Sequence, residues 1–170
     1  MKGRSSTSIC ASRANFKTAE REIRTSISLH GELLDQASPA LPQLRFESRS
    51  AYRNAEEKLE AIINSDELAP ALQDNVVTFR SDRLVVPIKS DFRGQVPGII
   101  HGVSDSGATL FIEPFSAVGA TNRWKEKSAA ERDEIQRILQ TLTSKIARVA
   151  ADCMNSLYLA GRLDLALSKA

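Results

Sequence analysis

The sequence has little of the chemistry that metal sites and disulfide frameworks require. Among 170 residues it holds two cysteines, Cys10 and Cys153, and two histidines, His30 and His101. The cysteines lie far apart and form no CxxC pair, so neither a disulfide framework nor a zinc site is indicated. No apolar run approaches the roughly 20 residues of a membrane-spanning helix. We therefore expect no bound metal and no membrane segment.

An excess of charge of one sign is also lacking. The formal net charge is +2, from 23 basic and 21 acidic side chains, and the length suits one domain or somewhat more. Residues 1–19 are the exception, because they carry Lys2, Arg4, Arg13 and Lys17 and no acidic residue. Such a composition is typical of an organelle-targeting segment. An irregular start of the chain explains it equally well.

Two stretches with helical spacing flank a region of strand signals. In the later stretch, two interleaved ladders repeat every seven positions, which is the pattern of a coiled-coil seam. The ladders are Ile135, Leu142, Val149, Ser156 and Leu163, and Leu139, Ile146, Cys153, Ala160 and Leu167. A helix over 116–151 would be about 50 Å long. We expect it to pack antiparallel along the earlier stretch, 39–64, which Ser38 and Pro39 are suited to begin.

The region between the helical stretches predicts two β-hairpins. Residues 76–79 and 84–88 are strand-like, and Ser81 and Asp82 between them are turn formers. Residues 98–103 and 109–113 form the second pair. Because Pro87 cannot donate to a sheet ladder, its strand is expected at an edge or with a bulge.

Three runs in this region resemble the MutS-two branch of the MutS superfamily, which lacks the mismatch-reading domain. They are VTFRSDRLVVPIK at 77–89, VPGIIH at 96–101 and SDSGATLFIEP at 104–114. The resemblance covers most of residues 25–170, and the SGATLFIEP element is its most specific part. It implies a helical lever with a clamp at its tip, which joins an ATPase and closes around a nucleic-acid duplex.

The residue patterns and the resemblance together predict a fold of the α+β class. It is mainly α-helical, a long antiparallel coiled-coil-like lever with a small antiparallel β-sheet inserted at its tip. The predicted parts are an irregular or presequence-like segment at 1–19, a helical core remnant and outbound lever helix at 20–73, a β-rich clamp at 74–114, and a returning lever helix with a truncated core helix at 115–170.

The resemblance also implies which activities the chain carries. Complete family members are DNA-dependent ATPases, which use ATP and Mg²⁺, and often have an Smr endonuclease domain. This sequence has no GxxxxGK phosphate loop and no Smr domain. We interpret it as a middle piece without catalytic residues, cofactor or enzymatic activity of its own. The full-length parent is expected to be a homodimer.

Two functions remain open at this stage, with a structural spacer as a third. The first is a clamp on duplex or branched DNA that limits recombination, in a family related to mismatch repair. The second is a ribosome-binding module of a factor that rescues collided ribosomes. A bacterial protein of this kind would be cytoplasmic and associated with the nucleoid. A targeting function of residues 1–19 would instead indicate a plastid or mitochondrion.

The candidate nucleic-acid contacts are four cations in or beside the turns of the predicted sheet. They are Arg80, Arg83, Lys89 and Arg93. Such side chains can neutralise phosphates and release counterions, which gives affinity without sequence reading. Acidic residues in the same segment oppose them, namely Asp82, Asp91, Asp105 and Glu113.

Aromatic and histidine side chains offer weaker candidates. Trp124 and Phe92 could stack on bases, although packing beside an apolar seam is the more common role of such residues. His101 has no second ligand at metal-binding spacing, so a structural role is predicted for it.

Overall fold

A computed structural model describes residues 6–168, with side chains over 16–168 except at 153, 156, 159, 162, 163 and 166. The helices are α1 Ser6–Ser26, α2 Leu41–Ile63 and α3 Phe115–Leu167, with 3-10 turns at Asp35–Ala37 and Ser90–Phe92. The strands are β1 Thr78–Arg80, β2 Arg83–Lys89, β3 Gly98–Val103 and β4 Thr109–Pro114. None of the described helices is both long enough and apolar enough to cross a membrane.

The chain forms two compact units. One comprises 43–132 and contains the sheet, and the other comprises the described parts of 1–42 and 133–170. In the second unit, Leu41, Ile138 and Leu142 are buried together. The Ser38 hydroxyl accepts hydrogen bonds from the backbone N–H groups of Ala40 and Leu41, at 3.2 and 3.1 Å. The predicted N-terminal cap of α2 is therefore confirmed.

The sheet of the 43–132 unit is antiparallel throughout, with strand order β1-β2-β4-β3. The hairpin predicted across Ser81 and Asp82 is confirmed, and both residues have positive φ, 47° and 63°. Two such residues in succession are the backbone of a tight turn that matches the twist of its strands. The second predicted hairpin is confirmed as β3 and β4, with a register shift between Ile100 and Gly102.

The position predicted for the strand of Pro87 is wrong, because β2 lies between β1 and β4. Strand β1 pairs only with residues 83–85 of β2. Beyond that point the Pro87 carbonyl accepts a hydrogen bond from the Gln73 N–H, at 3.0 Å. The edge of Pro87 that carries no N–H therefore lies towards an irregular segment. The hydrogen bonds between β2 and β4 do not require a donor at this position.

One face of the sheet packs on α2 and the first turns of α3 to form the main core. The buried members include Leu59 and Ile63 of α2, Val86 and Ile112 of the sheet, and Ala117 of α3. Full burial of each large apolar side chain contributes about 1.5–3 kcal/mol. The sheet is thereby fixed against the sides of two helices.

The predicted coiled-coil lever with a sheet at its tip is wrong. The structure instead has three described helices and a four-stranded antiparallel sheet, with α3 at the C-terminal end. Leu139 and Ile146 of one ladder are 40% and 46% exposed, whereas buried Ile138 belongs to neither ladder. The side chains of Cys153, Ser156 and Leu163 lie outside the described residues.

Two features explain this difference, namely the unequal lengths of α2 and α3 and the packing of the apolar residues of α2 against the sheet. Helix α2 has 23 residues and α3 has 53, so α2 cannot supply a seam along the whole of α3. Three buried apolar residues in the second half of α2 belong to the core that includes the sheet, namely Ala55, Leu59 and Ile63. Heptad spacing in α3 was therefore compatible with a seam but did not require one.

Candidate nucleic-acid interface

The four predicted cations lie at the two ends of β2. Arg80 and Arg83 are directly opposite each other in the β1–β2 hairpin, whereas Lys89 ends β2 and Arg93 follows in the next loop. Six residue steps along a strand correspond to about 20 Å. The structure therefore brings the four cations together as two separate pairs, not as one cluster.

Arg83 is used inside the unit. One of its terminal nitrogens, Nη1, lies 2.6 Å from Asn122 Oδ1 and 3.3 Å from Glu113 Oε1. Only 24% of its side chain is exposed. Its charge is thus directed at a buried carboxylate and is poorly placed to reach a phosphate.

The carboxylate of Glu113 is the centre of a buried polar network. Glu113 is fully buried, and it accepts a hydrogen bond from Thr121 Oγ1 in addition to that from Arg83. Its other oxygen lies 2.7 Å from His101 Nε2. This one side chain therefore connects β2, β3, β4 and α3, and His101 has the structural role predicted for it.

Sequence reasoning missed the Glu113 network. Alternation along β4 places Glu113 on the face opposite Leu110 and Ile112, which a single core would leave to solvent. The start of α3 and the Arg83 side chain cover that face instead. Within the described residues, no three His, Cys, Asp or Glu side chains are grouped to hold a metal ion.

The other three candidates have polar atoms at the surface. The guanidinium carbon of Arg80 lies 4.6 Å from the centre of the Phe111 ring, a cation–π arrangement that orients it. Lys89 Nζ donates to the Pro70 carbonyl at 3.0 Å and has two further N–H groups to offer. Arg93 is exposed, and none of the ion pairs in the part of the chain described here includes it.

Two of the acidic residues that seemed to oppose these cations are occupied elsewhere. Asp82 Oδ2 lies 2.7 Å from Lys125 Nζ on α3, and the hydrogen bond and charge of Lys125 lower the pKa of Asp82. Glu113 is committed to Arg83 and His101. The cations Arg80 and Arg93 are therefore less neutralised than the sequence count indicated.

Comparisons with known proteins agree with the resemblance in the sequence. No protein-family model matches the chain. "Endonuclease MutS2" of Thermomicrobium roseum is 44% identical over 149 residues, which is 88% of this chain and 19% of the relative. The proteins of that name from Symbiobacterium thermophilum and Geobacillus thermodenitrificans are each 41% identical, over 91% and 92% of this chain and 19% and 20% of their own lengths.

The aligned region covers most of this chain but only a small part of each relative. The chain spans about one fifth of the length of the curated relatives it matches. The identity is spread over about nine-tenths of the chain, so it includes the helices as well as the sheet and its motifs. On this evidence the chain belongs to the MutS2 family and corresponds to one segment of its members.

Proposed function

We propose that this chain is a nucleic-acid-contacting segment of a MutS2-type protein. It binds duplex or branched DNA through the phosphate backbone, without sequence preference, and has no ATPase or nuclease activity of its own. The observation that carries the proposal is the presence of cations with surface-accessible donors at both ends of β2, beside acids that are already paired. Contacts of this kind give affinity and register, but they read no bases.

The distance between the two cationic points suits a duplex. About 20 Å along β2 corresponds to about six base-pair steps of 3.4 Å along the axis of a duplex. Arg80 is held by Phe111 at one end, and Lys89 and Arg93 supply the other. Two separated contacts fix the direction of the duplex axis relative to the sheet, which a single cluster would not do.

The names of the relatives support a proposal for the function of the whole protein. They are named "Endonuclease MutS2", and we assign to this chain a part in a MutS-family protein that limits recombination. ATP, Mg²⁺ and homodimerisation belong in this proposal to the whole protein. A cytoplasmic, nucleoid-associated location is proposed for a bacterial member.

The test is binding of the 170-residue chain to labelled duplex and four-way-junction DNA over a series of salt concentrations. Each phosphate contact contributes about 0.9 to the slope of log K against log salt. The variant Arg80→Gln/Lys89→Gln/Arg93→Gln should reduce that slope by about 2.7. Its control, Lys58→Gln/Arg123→Gln/Arg148→Gln, removes the same charge elsewhere on the surface. Equal slopes in the two variants would contradict the proposal.

A second candidate function is favoured by exposed apolar side chains on the edge strand β3. Ile99 and Val103 are exposed there, and β3 pairs with β4 on one side only. Such an edge fits a protein-containing partner, and the ribosome is the partner we would test. Cosedimentation with ribosomal particles, reduced by Val103→Lys and unaffected by the triple Gln variant, would favour this function over DNA binding.

A further inference from the structure

An open groove lies between α2 and α3 within the 43–132 unit. Its volume is about 570 Å³, and its walls are Ser48, Arg49, Tyr52 and Arg53 of α2 and Trp124 of α3. We refer to these five residues as the arginine–aromatic groove. It is distinct from the ends of β2, which carry the proposed duplex contacts.

The two arginines of the groove have no partner within the unit. Arg49 and Arg53 are exposed, and neither makes an ion pair or a side-chain hydrogen bond among the described residues. They lie one helical turn apart, where like charges repel. Nearby charges of the same two helices are paired, since Arg45 reaches Glu131 at 3.7 Å and Lys127 reaches Glu47 at 2.8 Å.

The aromatic residues of the groove are held in fixed orientations. The Trp124 ring meets Tyr52 edge to face, with centroids 5.4 Å apart, and meets Phe79 at 5.9 Å in the same manner. Burial and the neighbouring Glu56 carboxylate raise the pKa of Tyr52, which keeps the phenol neutral. Trp124 and Tyr52 are only partly buried, so both contribute to the groove surface.

We infer that the arginine–aromatic groove binds a single nucleic-acid strand. An unpaired base stacks on Trp124 or Tyr52, and consecutive phosphates lie on Arg49 and Arg53. The rise of four helical residues is about 6 Å, close to the separation of successive phosphates along an extended strand. Paired bases are stacked inside a duplex and cannot reach the aromatic wall, which favours a strand with unpaired bases.

This site goes beyond the proposed function, because it recognises bases as planar surfaces and not only phosphates. A strand displaced at a DNA branch and a single-stranded RNA share the required chemistry. Deoxyribose and ribose strands of the same sequence compare the two sources. The arginines and aromatic rings contact phosphates and bases, which both strands carry, so equal affinity is expected, and a preference for one strand would identify the source.

The sole tryptophan of the chain makes the site directly observable. Trp124 is the only tryptophan in the sequence, so its fluorescence reports on this groove. A short oligothymidylate titrated into the 170-residue chain should quench the emission. The variant Arg49→Gln/Arg53→Gln should weaken binding about tenfold and reduce the salt slope by about 1.4, at about 0.7 for each single-strand phosphate.

Two controls separate the contributions of charge and stacking. Lys58→Gln/Arg148→Gln removes the same charge outside the groove and should leave quenching unchanged. An abasic strand of equal length keeps the phosphates but not the bases, and it should bind about tenfold more weakly without quenching. Both substituted arginines are exposed, so the double variant should retain the melting temperature of the parent.

The inference is overturned if oligothymidylate does not quench Trp124, or if the double Gln variant quenches with unchanged affinity. Quenching by a glutamate-rich, phenylalanine-containing peptide, and not by the oligonucleotide, would assign the groove to a protein partner and overturn it equally. Duplex binding is measured separately through Arg80, Lys89 and Arg93. Absence of duplex binding by the parent chain, with oligothymidylate still bound, would refute the proposed function and leave the groove in place.

Discussion

Replacement of Glu113 by alanine should destabilise the 43–132 unit more than any other single loss of a carboxylate there. Glu113 is fully buried and serves Arg83, His101 and Thr121 at once. Alanine removes the acceptor for all three. The side chains that remain must then be satisfied by other partners or by water.

The structure gives the size of the effect. Thr121 retains a hydrogen bond to the Val118 carbonyl at 3.1 Å, and Arg83 retains Asn122 at 2.6 Å. His101, whose side chain is 17% exposed, has no other side-chain partner in the described network. Loss of one member of a buried charged pair costs about 3–5 kcal/mol. Because Arg83 and His101 retain some access to water, we expect the lower end, about 3 kcal/mol.

A second substitution separates charge from hydrogen bonding. Glu113→Gln keeps the shape and one acceptor oxygen but removes the negative charge. Hydrogen bonds to charged groups contribute about 1.5–3 kcal/mol, against about 0.5–1.5 kcal/mol for neutral ones. We therefore expect Glu113→Gln to lower the free energy of unfolding by about 1–2 kcal/mol, which is less than the loss expected for Glu113→Ala.

The assay is urea unfolding of the 170-residue chain, followed by the fluorescence of Trp124, which lies in the same unit as Glu113. With a slope of about 1–3 kcal/mol per molar urea, a loss of 3 kcal/mol moves the midpoint by about 1–3 M. The control is Glu126→Ala, at an exposed position of α3, which should stay within about 0.5 kcal/mol of the parent. Equal midpoints for the two alanine variants would refute the assignment of Glu113 as a structural centre.

Two further predictions concern a glycine pair and a partly buried carboxylate. A Cβ at Gly98 would lie 2.4 Å from the Glu113 carbonyl oxygen, so Gly98→Ala should lower stability by more than about 2 kcal/mol, whereas Gly119→Ala, with open space around it, should raise stability by about 0.5–1 kcal/mol. Melting temperatures that move in the same direction would count against this. Hydrogen bonds from Arg137 and then Ser38 lower the pKa of Glu134 from 4.5 to about 2. The stability from ionised Glu134 is therefore complete above about pH 4.5 and is lost towards pH 2, so circular dichroism during acid titration should show a shallower loss for Glu134→Gln in that window.

Local structure could be predicted from the sequence where the rules that govern it are local. Ser81 and Asp82 favour a tight turn through their own backbone and side-chain chemistry, and the hairpin is found there. Ser38 caps α2 because a hydroxyl at that position meets free N–H groups whatever surrounds the helix. Both predictions needed no knowledge of the remaining chain.

Packing could not be predicted in the same way. Two heptad ladders in α3 favoured a coiled coil, yet the buried positions Ile138 and Leu142 are four residues apart and contact Leu41. A helix presents several apolar stripes, and the partner decides which one is buried. The same applies to Arg83, whose position beside a turn indicated a surface cation until the Glu113 side chain opposite it was located.

The functional candidates follow from how the charges are paired and not from how many there are. The net charge of +2 indicates almost nothing about a nucleic-acid partner. Four cations of the 43–132 unit are bound to acids of the same unit, namely Arg45, Arg83, Lys125 and Lys127. The charge of each of these cations is already partly neutralised by its acidic partner, which lowers the gain from a phosphate contact. Cations without an acidic partner are present at the ends of β2 and in the arginine–aromatic groove, so a ligand with negative charge can bind at these two places without displacing an acid.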